Sequence, residues 1–200
     1  MSKRKPNPYK RADSLTKAAK ARGYPARSVF KLEEIDRRVR LFQHRYHVLD
    51  LGAAPGSWSM YAGQRVGGTG RVLAVDLSPT RVNLGSNVKA IEGDVFELDD
   101  TVLGELGPYD VVLSDMAPST SGNKFSDQSR SFDLVMRAIE IARAMGKAKS
   151  SFVAKIFMGP DFDAARKALR ETYEEVRVIR PESTRSISAE VFLIGLKKTA

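Results

Sequence analysis

Short apolar runs alternate with amphipathic segments along most of this 200-residue chain. The runs have the length of buried strands, and polar or glycine-containing segments separate them. They cover residues 48–51, 72–75, 88–91, 109–115, 151–157, 176–179 and 190–195. Strands that alternate with helices are typical of a parallel sheet covered on both faces. We therefore predict a single α/β domain with a mostly parallel, seven-stranded sheet and helices on both faces.

Three segments have the apolar period of a helix. Residues 26–42 place an apolar side chain at every third or fourth position, and Lys31 and Glu34 fall on the opposite, polar face. A docked helix holds a side chain in place as catalysis requires, so Lys31 is a candidate for the site. Similar periods predict helices over 132–145 and 162–173. The last two apolar runs lie close enough to form a hairpin, which predicts one antiparallel strand.

The first apolar run ends in a carboxylate and a pair of glycines. Residues 48–59, Val-Leu-Asp-Leu-Gly-Ala-Ala-Pro-Gly-Ser-Trp-Ser, predict a buried strand, a tight turn and a helix start. The spacing of Gly52 and Gly56 lacks the three-glycine grip on a pyrophosphate, which argues against a dehydrogenase. It favours a ligand with adenosine and no pyrophosphate, such as S-adenosylmethionine. We predict that Trp58, beside Gly56, forms a wall of that pocket.

The next three runs also end in acidic residues. Asp76 is predicted to hold a ribose diol, because one carboxylate can accept hydrogen bonds from both hydroxyls. Asp94 is predicted to accept from an adenine amino group, and Asp115 follows the fourth run. The carboxyl ends of parallel strands meet at one edge, so these groups should line one crevice. The alternative is that some of them, Asp94 above all, only cap the helices that follow.

Positive charge is concentrated near the N-terminus. Residues 1–40 hold thirteen lysines and arginines against four acidic residues, an excess equal to the formal net charge of +9 for the whole chain. A concentrated excess indicates a polyanionic partner, and basic groups bind RNA mainly through its phosphates. We predict a basic arm over residues 1–24, of which about the first ten form a disordered, solvated tail without regular structure. The domain itself is predicted to span residues 25–200.

Composition excludes several classes of function. The chain has no cysteine, which excludes disulfides, thiolate metal sites and pyrimidine methylation through a cysteine adduct. Its two histidines, His44 and His47, are predicted to be surface or packing residues, so no metal site is expected. No apolar stretch approaches the ~20 residues of a membrane span, and the basic N-terminus lacks the apolar run of a secretory signal. We predict a cytoplasmic protein that does not contact membranes.

Lys155 interrupts the apolar run 151–157. A buried lysine is costly unless it is paired or lies at the end of the sheet. Burial and a neighbouring cation would favour its neutral form, which is a base. The alternative is a lysine at the edge of a strand, with its ammonium group in solvent. Glu190 opens the last run, and its position alone fits a surface residue equally well.

Five motifs resemble the FtsJ/RrmJ family of S-adenosylmethionine-dependent RNA ribose 2′-O-methyltransferases. They are Arg27-Ser28-Val29-Phe30-Lys31-Leu32, Asp50-Leu51-Gly52-Ala53-Ala54-Pro55-Gly56-Ser57-Trp58-Ser59, Ser114-Asp115-Met116-Ala117-Pro118, Val153-Ala154-Lys155 and Ser188-Ala189-Glu190. The resemblance runs from about residue 8 to residue 197. It departs at Ser57, where bacterial members commonly have a second glycine, and we expect serine to be small enough for the turn to survive.

This resemblance implies a Rossmann-like methyltransferase fold, with residues 25–200 as the catalytic domain, and S-adenosylmethionine as the cofactor. It implies a catalytic tetrad and a set of cofactor contacts. The tetrad would be Lys31, Asp115, Lys155 and Glu190, and the contacts Gly56, Trp58, Asp76, Asp94 and Asp115. In this scheme neutral Lys155 takes the proton of the ribose hydroxyl. Lys31 favours that neutral form, and Asp115 and Glu190 orient the lysine.

Within the family, a chain of this size most resembles the bacterial members that methylate a uridine of 23S ribosomal RNA. We expect a monomer that acts on the 50S subunit or its precursor through the basic N-terminal region. Enzymes of the tRNA anticodon loop are the alternative. A non-catalytic ribosome-assembly factor is a further alternative. Such a factor could lose the tetrad, so the presence of all four members argues against it. An exocyclic-amine methyltransferase would usually carry Asn/Asp-Pro-Pro-aromatic where this chain has Asp-Met-Ala-Pro-Ser, from Asp115 on.

Overall fold

The fold is built on a seven-stranded sheet. The structure is a computed structural model that describes residues 8–119 and 121–200, with only the backbone described for residues 8–13. The strands are β1 (His47–Leu51), β2 (Arg71–Asp76), β3 (Val88–Glu92), β4 (Tyr109–Ser114), β5 (Gly146–Phe157), β6 (Tyr173–Ile179) and β7 (Glu190–Lys198). The helices are α1 (Pro8–Ala21), α2 (Val29–Val39), α3 (Ser57–Val66), α4 (Asp100–Leu103), α5 (Lys124–Met145) and α6 (Phe162–Arg170). The α/β prediction is confirmed.

The strand order is β3-β2-β1-β4-β5-β7-β6. All neighbours are parallel except β7, which runs antiparallel to both β5 and β6. The predicted mostly parallel sheet with one antiparallel strand is therefore confirmed. The order of the strands reverses at β1, between β2 and β4. In open α/β sheets, ligands bind at such a switch point, outside the carboxyl ends of the strands.

Alternate side chains of each strand face two separate cores. Leu49, Val112 and Phe152 pack on the side of α5 and α6, whereas Val48 and Val153 pack on the side of α2 and α3. This period of two is what both faces of a covered sheet require. It also fixes which side of the sheet a polar residue within a strand can reach.

Several boundaries differ from the predicted ones. Helix α5 begins at Lys124, eight residues before the predicted start, because its first turns are polar and Asn123 caps them. The Asn123 side chain accepts from the backbone N–H groups of Phe125 and Ser126. Strand β5 begins at Gly146, and the short helix α4 was not predicted. Apolar periods define buried faces, so they miss polar ends of this kind.

The N-terminal helix is joined to the domain rather than separate from it. Helix α1 begins at Pro8, a residue tolerated in the first turn of a helix because its missing N–H would have no partner there. The predicted tail is therefore wrong from Pro8 on, and residues 1–7 lie outside the described part. Ala19 and Tyr24 are buried against α2 and α3, and the Tyr24 hydroxyl donates to Gln64 Oε1 at 2.7 Å. Of the helices described, none has the length and apolar character to cross a membrane.

Candidate active site

A cavity of about 280 Å³ lies at the carboxyl ends of β1, β2, β3 and β4. Acidic residues, small residues and apolar side chains line it. They are Asp76, Asp94, Asp115, Gly52, Ala54, Gly93, Ala117, Val75, Leu77, Val95, Met116 and Leu134. The structure thus brings three of the predicted cofactor residues, all carboxylates, to one cavity at the switch point of the sheet.

Backbone N–H groups hold two of these carboxylates in position. Asp76 ends β2, and its oxygens accept from Ala54 N at 2.9 Å and from Ser78 N at 2.8 Å. Asp94 accepts from Phe96 N at 2.9 Å. Each carboxylate oxygen can accept a further bond, which leaves capacity for a ligand hydroxyl or amine. Asp94 does not cap a helix, since α4 begins at Asp100 and its N-cap is Asp99.

The turn after β1 passes very close to the end of β4, and this requires a glycine. Gly52 has a φ of +76°, and a Cβ there would lie 2.7 Å from the backbone nitrogen of Met116. Gly56 has a φ of +112° and caps α3 without lining the cavity. Gly56 therefore shapes the turn, whereas Gly52 also keeps the cavity open beside Asp115.

Trp58 is not a wall of this cavity, which corrects the prediction. Its ring is 2% exposed and lies in the core between α2, α3 and the sheet, 5.7 Å from the ring of Phe192 between centroids. The indole Nε1 donates to the carbonyl of Ser28 at 2.9 Å. The first turn of α3 packs on the α2 side of the sheet, so a large side chain at this position enters that core.

Ser57 keeps the turn intact and adds contacts of its own. Its buried hydroxyl accepts from Ala26 N at 2.8 Å and donates to Ala26 O at 3.1 Å. Together with Trp58, it ties the start of α3 to the segment that leads into α2.

Strand register places three of the predicted catalytic residues on one face. Ser114 of β4 pairs with Ala154 of β5, so Asp115 and Lys155 follow side by side. Lys155 pairs in turn with Phe192 of β7, two residues from Glu190. Since side chains alternate along a strand, all three point to the α2 side of the sheet.

Lys155 is held against Asp115. Its side chain is buried, and Nζ donates to the backbone carbonyl of Asp115 at 2.6 Å. Nζ also lies 3.0 Å from Asp115 Oδ1, as an ion pair without the angles of a hydrogen bond. The alternative of a lysine reaching into solvent is therefore wrong. Asp115 also lines the cavity, so Lys155 lies behind the part of the cavity wall that Asp115 forms.

Lys31 reaches the same place from helix α2. Its Nζ forms an ion pair with Glu190 Oε1 and lies 5.9 Å from the centroid of the Phe192 ring. Burial would raise the pKa of Glu190, but Lys31, Lys155 and the hydroxyl of Thr184 outweigh it and lower that pKa. Glu190 is thus a carboxylate at neutral pH. The structure brings all four residues of the predicted tetrad together as two ion pairs.

Glu34 is buried, although the period of α2 places it on the polar face. Its side chain accepts from the backbone N–H of Glu182 at 2.9 Å and pairs with Arg38 at 2.5 Å. The face of α2 that carries Lys31 and Glu34 is covered by the β6–β7 loop, residues 180–189. No period within α2 could have shown this, because the loop is distant in sequence.

Asp50 is a further buried carboxyl that sequence reasoning did not assign to the site. It is fully buried in β1 and accepts from Ser59 Oγ at 2.5 Å. Burial raises its pKa to about 7; the bond from Ser59 opposes this rise, whereas the charges of Asp115 and Asp76 add to it. The signal was present in the sequence, since Asp50 interrupts an apolar run just as Lys155 does.

The sheet order and the acid-lined cavity at its switch point define the fold class of S-adenosylmethionine-dependent methyltransferases. The sequence model of the FtsJ-like methyltransferase family matches residues 24–198, and the chain belongs to that family. The family resemblance inferred from the five motifs is confirmed.

Two relatives carry the name ribosomal RNA large subunit methyltransferase E. The protein of Sorangium cellulosum (strain So ce56) is 60% identical over 200 residues, which are 100% of this chain and 94% of the relative. The protein of Oleidesulfovibrio alaskensis is 49% identical over 181 residues, which are 89% of this chain and 87% of the relative. The similarity therefore extends over nearly the full length of both proteins.

Solved structures share the fold at low sequence identity. A protein of Plasmodium falciparum, provisionally named a ribosomal RNA methyltransferase, has a TM-score of 0.76 at 20% identity, covering 88% of this chain and 100% of that one. Fibrillarin of Aeropyrum pernix, solved with natively bound S-adenosyl-L-methionine, has a TM-score of 0.58 at 16% identity, covering 77% and 67%. Both likenesses support the fold assignment.

Proposed function

We propose that this protein transfers a methyl group from S-adenosylmethionine to a ribose 2′-hydroxyl of large-subunit ribosomal RNA. The observation that carries the proposal is the position of Asp115. Its carboxylate lines the acid-lined cavity and at the same time pairs with Lys155. A methyl donor in the cavity and a base behind its wall would meet at this residue.

The cavity fits the cofactor by the chemistry of its lining. Asp76 offers carboxylate oxygens to a ribose diol, and Asp94 offers one to an adenine amino group. Asp115 adds a third carboxylate to the lining, which suits a ligand with a positively charged sulfonium. The apolar side chains Val75, Leu77 and Val95 would contact the adenine ring. When bound, S-adenosylmethionine supplies a methyl group that is already strongly electrophilic.

With such a donor, the residues of the chain have to align the acceptor oxygen and remove its proton. In its unprotonated form, Lys155 would accept the proton of the 2′-hydroxyl at Nζ, so that the oxygen can take up the methyl group that the donor releases. Lys31 and Lys155 both act electrostatically on Glu190, so Lys31 would add a positive charge to the same cluster. Asp115 would orient the Lys155 side chain.

The proposed substrate is supported by the relatives, which are similar over nearly their full length. Both are named as methyltransferases of large-subunit ribosomal RNA. We extend this to a uridine of 23S RNA in the 50S subunit or its precursor, bound by a monomer through the basic N-terminal region. The thirteen lysines and arginines of residues 1–40 support contact with phosphates.

A methylation assay with ribosomes from a strain deleted for this gene tests the proposal. Purified protein and tritiated S-adenosylmethionine are added to 50S subunits, to free ribosomal RNA and to transfer RNA, and the modified position is mapped. We expect a 2′-O-methyl group on one uridine of the large-subunit RNA. Label on transfer RNA alone would support the anticodon-loop enzymes instead.

Lys155→Ala separates catalysis from binding. This variant should abolish methyl transfer while S-adenosylmethionine binding stays nearly intact, because the lysine lies behind the cavity and does not line it. Lys167→Ala, at an exposed lysine of α6 on the opposite side of the sheet, is the matched control. Turnover retained in Lys155→Ala would remove the base from the proposal.

A further inference from the structure

Two more cavities meet beside the catalytic ion pair. One, of about 430 Å³, is lined by Ala26, Arg27, Ser28, Lys31, Arg185, Ile187, Ser188 and Glu190. The other, of about 250 Å³, is lined by Gly122, Lys124, Asp127, Gln128, Phe157, Ser188 and Ala189. Ser188 lines both, so the two cavities adjoin at this residue, and together they are named here the lateral groove. The Lys31–Glu190 pair lies in its wall.

Each of the two cavities of the lateral groove has a cation without a partner in its lining. Arg185 and Lys124 are exposed, and within residues 14–119 and 121–200 neither side chain has a hydrogen bond or an ion pair. Lys31, which lines the same cavity as Arg185, is by contrast paired with Glu190. A free cation in each of two adjoining cavities fits a ligand that carries more than one negative charge near its reacting group.

Each of these cations has a large apolar side chain beside it in the sequence. Phe125 follows Lys124 and is 69% exposed, and Ile187 lies two residues after Arg185 and is also 69% exposed. Met158, 44% exposed, adjoins the same wall, since its carbonyl accepts from the Gln128 side chain. Exposed apolar groups next to free cations are the elements of single-strand nucleic acid sites, where bases stack and phosphates pair.

The burial of Lys155, the proposed proton acceptor, favours an unpaired RNA strand over a duplex as the substrate. The side chain of Lys155 is only 9% exposed, behind the Asp115 carboxylate. A nucleotide in a rigid helix is held by stacking and pairing on both sides. An unstacked nucleotide can enter a recess while its neighbours stay on the surface.

We infer that the lateral groove binds an unpaired RNA segment, with the reacting nucleotide at the Lys31–Glu190 pair. Arg185 and Lys124 neutralise the phosphates on its two sides, and Ile187 and Phe125 contact the flanking bases. This rests on the proposed function, and it specifies the conformation in which the substrate is bound and the residues that hold it.

Binding of a fluorescein-labelled short oligouridylate, measured by anisotropy over a range of salt concentrations, tests the charges. In the double variant Lys124→Gln/Arg185→Gln, the negative slope of log affinity against log salt should become less steep by about 1.4. Each phosphate contact to a single strand contributes about 0.7 to the steepness. Lys167→Gln, an exposed lysine on α6, is the control and should leave the slope unchanged.

The apolar contacts give a different signature. Phe125→Ala should weaken binding of the oligouridylate by about 5- to 150-fold with the same salt slope, because stacking contributes about 1–3 kcal/mol per base. Phe125→Trp should restore the affinity. Val178→Ala, at a 41% exposed position of β6, is the control for loss of surface apolar area. S-Adenosylmethionine binding should be the same in every variant, since none of these residues lines its cavity.

Two results would overturn the inference while leaving the enzyme assignment intact. One is a wild-type protein that methylates RNA, with groove variants of unchanged affinity and salt slope. The other is tighter binding of a fully paired RNA hairpin than of the oligouridylate, with the groove variants affecting both equally. Absence of methyl transfer to any RNA by the wild type would instead contradict the proposed function.

Discussion

The indole nitrogen of Trp58 lies 2.9 Å from the backbone carbonyl oxygen of Ser28. This bond joins the first turn of α3, next to the glycine turn after β1, to the segment that opens α2. Lys31 follows only three residues later. The position of Lys31, a proposed catalytic residue, is therefore linked to a contact made beside the turn that borders the proposed cofactor cavity.

Trp58→Phe tests this dependence. Phenylalanine retains an aromatic contact with Phe192 but loses the bond to the Ser28 carbonyl, which keeps only the backbone N–H of Lys31 as a donor. The free energy of unfolding should therefore fall by about 1 kcal/mol. We expect a lower kcat with little change in the Kd of S-adenosylmethionine. Urea denaturation and single-turnover methyl transfer measure the two effects. In the control Tyr24→Phe, loss of the bond to Gln64 should leave kcat unchanged, and an equal fall in both variants would contradict the role of Trp58.

Glu34→Gln tests the anchoring of the β6–β7 loop. The neutral amide still accepts from Glu182 N but more weakly, a difference of about 1 kcal/mol or about fivefold in an equilibrium constant. Because the loop leads into Glu190, we expect kcat to fall by up to about that factor while cofactor affinity is retained. Glu33→Gln, which loses only an exposed pair with Arg22, should have no effect on kcat. Identical kinetics of the two variants would show that the anchor has no catalytic role.

Asp76→Asn tests the cofactor cavity. The amide keeps one acceptor oxygen and replaces the other by an NH₂ group, so a ribose diol can no longer be held at both hydroxyls. We expect the Kd of S-adenosylmethionine to rise by about 10- to 100-fold, the usual range for a lost hydrogen bond to a charged group. Isothermal titration calorimetry measures it. Asp99→Asn, outside the cavity, serves as the control, and unchanged affinity in Asp76→Asn would remove this residue from the cofactor contacts.

Asp50 predicts a pH dependence of stability. Burial raises its pKa from 3.8 to about 7 in the folded protein, so the native state holds a proton that the unfolded chain releases. The contribution of this bound proton to the free energy of unfolding is fully present below about pH 4 and is lost as the pH rises to about 7. Relative to Asp50→Asn, the wild type should lose about 4 kcal/mol across this interval and change little above it.

Chemical denaturation of both proteins from pH 4 to pH 9 measures this difference. Glu190 acts in the opposite sense, because its pKa is lowered and its contribution is lost only as the solution becomes acidic, below its ordinary pKa of about 4.5. The two effects therefore occupy different parts of the pH range. A difference between wild type and Asp50→Asn that stays constant over the whole range would contradict the elevated pKa of Asp50.

Local patterns in the sequence predicted much of the fold and part of the candidate site. Apolar runs predicted the seven strands, and the acidic residues at the strand ends predicted the lining of the cavity, because parallel strands end at one edge. The places of Trp58 and Glu34 were not predictable in this way. Each depends on which distant element covers it, the α2 side of the core for Trp58 and the β6–β7 loop for Glu34. The period of one helix contains no information about its neighbours.

The two parts of the active site belong to different regions of the sheet. The cofactor cavity lies at the ends of β1, β2, β3 and β4, whereas Lys155 and Glu190 lie on β5 and β7, with β7 between β5 and β6. Local opening of the β6–β7 hairpin would remove Glu190 and release Lys31 without disturbing the cavity. Under the proposed mechanism, such a molecule would retain its methyl donor but would be unable to transfer the methyl group. Hydrogen exchange in this hairpin should therefore report the fraction of cofactor-loaded protein that is competent for transfer.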